Sequence, residues 1–183
     1  MKRQTAKEIL AESFRELAEK RPIDRITVKD IVDNCGYSSA TFYRQFSDKY
    51  ALIAWEYTQR LDAILAGMNG NAPSFKATLT AFAASIGEHK PYLANLFLHT
   101  GGLDAFIRSM REIHYARCLE CVRLAAGEAG IDKKTELLVR IYCLGTVQLT
   151  CEQILAPGEI NAEELSEAYR LALPEPLRLI LSK

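Results

Sequence analysis

Thr41, Tyr43 and Arg44 bring a hydroxyl, a phenol and a guanidinium into a span of four residues, interleaved with Phe42 and followed by Phe46. Such a set can donate hydrogen bonds to phosphate oxygens, and the guanidinium can also pair with a guanine edge. The polar groups can act together only if they share one face. At about 100° per residue, with Phe42 pointing inward, Phe46 falls beside it and Ser38 close by, so these three are expected to face the core. Ala40 and Arg44 then point outward, flanked by Thr41 and Tyr43, and the small Ala40 permits close approach. Lys49 follows in the first turn of the next helix, where its ammonium and the free backbone amides suit a phosphate. A small helical hairpin with polar solvent residues would carry the same pattern, and both readings remain open at this level.

The elements that must position these groups are legible on both sides. Ile9, Leu10, Phe14, Leu17 and Ala18 form a helical stripe that ends near Lys20, before Pro22. Thr27 can cap a second helix starting near Val28, with Asp30 reaching back and Ile26 packing onto Ile31. Asn34, Cys35 and Gly36 supply its terminus, where glycine tolerates the left-handed conformation. Ser38 is expected to cap a third helix, with Tyr37 against Phe42, and Ser47 a fourth running from about Asp48 to Ala66. Two short helices joined through a glycine-containing turn form a helix-turn-helix pattern, whose second helix lies in the DNA major groove.

"GMNGNAP", Gly67 to Pro73, is the clearest break in the chain. Beyond it the spacing predicts helices at about 74–88, 91–98, 102–126, 133–155 and 161–173, with Leu173 to Pro176 interrupting the last before the apolar tail. The fold class is therefore all-α: a helix-turn-helix domain over residues 1–50 and a helical bundle over 51–183.

The 183 residues balance 23 basic against 23 acidic side chains, so a polyanionic partner must be met by a local patch rather than by a global field. Residues 1–60 carry eleven basic and nine acidic groups, but Arg44 and Lys49 sit on the outward side while Glu8, Glu12, Glu16 and Glu19 lie on the first helix. No apolar run approaches the roughly 20 residues that cross a bilayer, and "MKRQTAKEIL" lacks the apolar centre of a secretion signal. The five cysteines, an odd number, suit a reducing compartment. A cytoplasmic protein with no membrane partner is expected.

The run "TVKDIVDNCGYSSATFYRQFSDKYALI", preceded by "ILAESFRELAEKRPIDRI", resembles the amino-terminal domain of TetR-type transcriptional regulators over about residues 5–57. The resemblance implies an all-helical homodimer, a repressor, that binds an inverted-repeat operator in double-stranded DNA and is controlled by a small-molecule or protein effector. Carried over residue by residue, it places Thr27, Tyr43 and Lys49 on phosphates and Ser39, Ala40, Thr41, Arg44 and Gln45 along the base edges. Ser39-Ala40 departs from the long side chain followed by glycine that many relatives have, which shifts base reading toward Arg44 or lowers affinity. "IGEHKPYLANLFLHTGGLDAFIRSM" is similar, more weakly, to the carboxy-terminal domain of a subgroup that includes regulators of dihydroxyacetone kinase operons.

In the carboxy-terminal half, aromatic and polar candidates for an effector cavity are Trp55, Phe82, Tyr92, Phe97, Phe106, Met110, His114 and Tyr142, although large side chains of this kind usually bury for stability alone. His114, Cys118 and Cys121, spaced by four and three, share one helical face; a fourth metal ligand is not in evidence, so no resident metal is expected. Apolar faces that include Leu144, Val147, Leu149, Cys151, Leu165 and Leu171, with small Gly145 and Ala168, are candidates for a four-helix dimer interface. No glycine-rich phosphate loop, serine elbow or HExxH is present, and no motif calls for a cofactor, so nothing recommends an enzyme. The alternative is a helical adaptor of the same fold that acts through protein partners.

Overall fold

A computed structural model of the chain describes residues 4–66, 75–99, 103–127 and 130–181. Every regular element among them is helical: α1 (Ala6–Ala18), a 3-10 turn (Ile23–Arg25), α2 (Val28–Cys35), α3 (Ser39–Gln45), α4 (Lys49–Ala66), α5 (Phe75–Glu88), α6 (Lys90–His99), α7 (Leu103–Ala126), α8 (Lys133–Leu155), α9 (Ala162–Ala172) and α10 (Glu175–Leu181). The break at Gly67 to Pro73 lies outside the described residues. Among those described, no helix is long and apolar enough to cross a membrane.

Local chemistry sets the helix starts. Thr5 and Glu8 form a reciprocal capping box at α1, and Thr27 and Asp30 form one at α2. Hydrogen bonds from the Thr27 hydroxyl and amide hold the Asp30 carboxyl down at about 2. The Ser38 side chain accepts from the Thr41 amide at 3.2 Å and so starts α3. The fourth helix departs from expectation: its first turn is capped by Asp48, whose Oδ1 accepts from the Ala51 amide at 2.8 Å, not by Ser47. Asp132 and Asn161 cap α8 and α9 in the same way.

Between α2 and α3 the chain turns at Gly36, with φ of 72°. A Cβ built there meets nothing within 4 Å, so a side chain would face only the backbone strain of the left-handed region. Gly36→Ala is accordingly expected to lower stability by about 1–2 kcal/mol without loosening the neighbouring core. Thermal unfolding of the variant measures this, and an unchanged midpoint would show that the turn relaxes freely.

Two compact units emerge, one comprising residues up to Gln59 together with Pro91–Ile107, the other Arg60–Lys90 and the chain from Arg108 onward. In the first, α1, α2 and α3 pack around Leu10, Phe14, Ile26, Ile31 and Phe42, all fully buried. The Ser13 hydroxyl donates to the Ile31 carbonyl at 2.7 Å and accepts from Asn34 at 3.1 Å, so the α1–α2 contact is polar as well as apolar. Helix α6 belongs to this unit: Tyr92 donates to Glu56 at 2.7 Å, and Glu56 accepts from Arg15 at 2.9 Å. Asn95 donates to the carbonyls of Ala18 and Arg21 at 2.7 and 3.0 Å and accepts from the Ile23 amide at 3.2 Å. It thereby satisfies the end of α1 and the start of the 3-10 turn together.

In the second unit α5 packs on α9 and α8 on α10. Tyr169, almost wholly buried, ties the bundle together: its hydroxyl lies 2.5 Å from that of Thr150, and its carbonyl accepts from Tyr142 at 3.0 Å.

Candidate nucleic-acid interface and effector cavity

Helix α3 is amphipathic at the scale of single residues. Phe42 is 0% exposed and Phe46 is buried, their ring centroids 5.8 Å apart, and Phe46 continues edge-on to Trp55 at 5.9 Å. Lys7 lies over both outer rings, 5.5 Å from Phe46 and 5.9 Å from Trp55. Tyr43, one residue from the buried Phe42, is 59% exposed and braces its ring edge-on against it at 5.6 Å. Ser39, Ala40 and Arg44 are exposed, with Thr41 and Gln45 half-buried. Ser38, expected to face the core, is exposed: a cap residue has extended rather than helical dihedrals, so the helical wheel does not apply to it.

On the outward face the polar groups form a row. The Ser38 and Thr41 hydroxyls are 3.0 Å apart, and Arg44 donates to the Thr41 hydroxyl and the Ala40 carbonyl, both at 3.3 Å. These contacts are long and solvent-facing, so a guanine edge or a phosphate can replace them at little cost. Thr27 is exposed, but its hydroxyl already donates to Asp30 at 2.6 Å.

Lys49 is placed differently. Its ammonium donates to the carbonyls of Ile23 and Ile26, both at 2.8 Å, and reaches that of Asp24 at 3.4 Å. Partial burial moves its pKa downward, opposed by the charge of Asp24. An ammonium has three donors, so a phosphate contact requires Lys49 to give up at least one of these carbonyls.

The second unit contains a partly enclosed cavity of about 70 Å³. Of the residues expected to form one, Phe82, His114 and Tyr142 line it. Trp55, Tyr92 and Phe97 lie in the first unit, Met110 is buried away from the cavity, and the Phe106 side chain lies outside the described residues. Sequence reading missed Leu61, Phe75, Thr78, Thr146, Tyr169 and Leu177 as wall residues. Thr78 had a usable signal, since it precedes Phe82 by four residues on α5 and shares its face.

His114 and Cys118 do come together, but their third neighbour is Cys143 of α8 rather than Cys121: the three ligand-type atoms lie within 4.8 Å of one another. A hydrogen bond with Cys143, and burial, push the Cys118 thiol well up, and burial pushes Cys121 up to about 11. A metal ion here would have to expel protons from a packed core.

A short helix that buries its phenylalanines and presents hydroxyl, phenol and guanidinium groups beyond a capped helix and a left-handed glycine defines a helix-turn-helix DNA-binding protein. Residues 9–54 match the family model for bacterial regulatory proteins of the tetR family. By that match, the amino-terminal segment is a DNA-binding domain of the TetR type. No curated protein matches it. Among solved structures it is similar to the dihydroxyacetone kinase operon activator DhaS, with 16% identity, a TM-score of 0.58 and 96% of each chain covered. It is also similar to a TetR transcriptional regulator from Rhodococcus sp. RHA1, with 15% identity, a TM-score of 0.61, and 98% of this chain and 100% of that one covered. The TetR family repressor AlkX from Dietzia sp. strain DQ12-45-1b gives 16% identity, a TM-score of 0.59, and coverage of 99% and 100%. At these identities the likeness is one of fold.

Proposed function

We propose that the protein is a cytoplasmic repressor that binds an inverted-repeat operator as a homodimer and releases it when an effector enters the carboxy-terminal cavity. The observation that carries this reading is the outward row Ser38, Thr41 and Arg44 with Tyr43 beside it, on a helix whose apolar side is fully engaged. Arg44 reads a base edge, Tyr43 and Thr27 position the backbone, Ser39, Ala40, Thr41 and Gln45 line the groove, and Lys49 adds charge at the helix corner. It works by binding rather than by catalysis.

A dimer is supported by α8. Leu137, Ile141 and Leu144 are exposed at spacings of four and three, and Gly145 beside them is open, whereas Val147, Cys151 and Leu165 are buried within the monomer. Exposed apolar side chains repeating along one helical face are the signature of a helix-packing surface.

Footprinting on the DNA beside the protein's own gene, with sedimentation at micromolar concentration, tests both points. The expected result is a dimer that protects two symmetric half-sites about one duplex turn, or a multiple of it, apart. A monomer that protects no DNA at any salt concentration would instead establish the adaptor reading.

A further inference from the structure

The cavity of the second unit is almost wholly apolar, yet among the described residues two polar atoms of its wall have no hydrogen-bond partner. The Thr78 hydroxyl on α5 and the Nδ1 nitrogen of His114 on α7 are both buried and both lack a hydrogen bond, in residues only 5% and 8% exposed. The other polar groups of the wall are engaged: Tyr142 donates to the Tyr169 carbonyl, Tyr169 pairs with Thr150, and Thr146 donates to the Tyr142 carbonyl at 2.9 Å. Buried polar atoms left unsatisfied cost about 1–3 kcal/mol each, and native structures keep few without a reason. Phe82 lies a turn beyond Thr78 on α5, and its centroid is 5.5 Å from the His114 imidazole.

The lining restricts charge and size. Among the described residues no Lys, Arg, Asp or Glu reaches the wall, so a carboxylate, phosphate or ammonium would surrender its hydration without a fixed counter-charge from any of them. At about 10–15 Å³ per water-sized group, the cavity holds roughly half a dozen such groups.

We propose that this cavity takes a small uncharged molecule, a single apolar ring or short chain bearing one hydroxyl, whose oxygen hydrogen-bonds to Thr78 Oγ1 and His114 Nδ1. A hydroxyl both accepts and donates, and so serves the threonine hydroxyl and a ring nitrogen in the same complex. This deepens the regulator reading, on which it rests for its effect on DNA, but it specifies a ligand class that the DNA-binding helix does not.

Calorimetric titration of the full chain with phenol, toluene and benzoate at neutral pH tests it. An apolar wall alone would rank toluene first, because toluene gains more from leaving water. The expected result is phenol at least about tenfold tighter than toluene, matching one satisfied hydrogen bond, and benzoate weakest. Thr78→Val keeps the shape, removes the hydroxyl and should return toluene to first place, in a variant that still melts cooperatively. Toluene preferred by the wild type, benzoate equal to phenol, a Thr78→Val variant that retains the phenol preference, or no binding of any probe would each overturn the proposal. Operator protection is measured without these probes, so loss of the ligand class and loss of the DNA-binding reading appear in different experiments.

Discussion

Phe42→Ala is expected to remove about 3–5 kcal/mol of stability and, with it, operator binding. Phe42 is fully buried, and both Tyr43 and Phe46 pack against its ring, so truncation leaves a cavity beneath the helix that presents Thr41 and Arg44. With only two turns of helix in α3, local propensity cannot hold the segment once its packing is lost. The chain carries its own reporter, because its one tryptophan, Trp55, stacks edge-on against Phe46 in the same unit. Urea unfolding followed by Trp55 fluorescence should shift its midpoint down by about 2 M. Phe42→Leu, which keeps most of the volume, should retain both fold and DNA binding. A Phe42→Ala protein with an unchanged midpoint would mean that this ring does not support the helix.

Asn95→Leu is expected to cost about 3 kcal/mol. The side chain keeps its approximate volume but loses both donated bonds and the accepted one, so the carbonyls of Ala18 and Arg21 and the amide of Ile23 are stripped of partners. Hydrogen exchange separates this from a general packing defect. The Ile23 amide should exchange markedly faster at denaturant concentrations where the amides of α8 are unaffected. Unchanged protection at Ile23 would show that the turn finds other partners and that α6 contributes only apolar contact.

Features of the DNA-binding helices that depend on neighbours three or four residues away were legible in the sequence. The Thr27–Asp30 box, the left-handed Gly36 and the Ser38 cap are each decided inside one turn, and the wheel through Phe42 and Phe46 then sets the outward face. The fourth cap was missed by one residue because Ser47 and Asp48 are adjacent and both can cap; the choice depends on where the chain leaves Phe46, which is extended. Contacts between distant segments left no such mark. Asn95 reaches back more than 70 residues to Ala18 and Arg21, and nothing in "KPYLANLF" signals that α6 joins the amino-terminal unit. Cys143 displaced Cys121 beside His114 for the same reason, since the register of α8 against α7 is a packing outcome. The cavity was half-legible: its aromatic wall on α5, α7 and α8 was expected, while the parts from α9 and α10, Tyr169 and Leu177, come from the far end of the chain.

Operator binding by Arg44→Ala and Lys49→Ala as salt is varied probes the outward face of α3. Arg44→Ala should bind about 5- to 150-fold more weakly, with preference relaxed at one base position. If Lys49 leaves its carbonyls for a phosphate, Lys49→Ala should weaken binding to all sequences and lower the salt slope by about 1. Wild type and both variants binding operator and unrelated DNA equally well, with the same salt slope, would mean that this face does not read DNA.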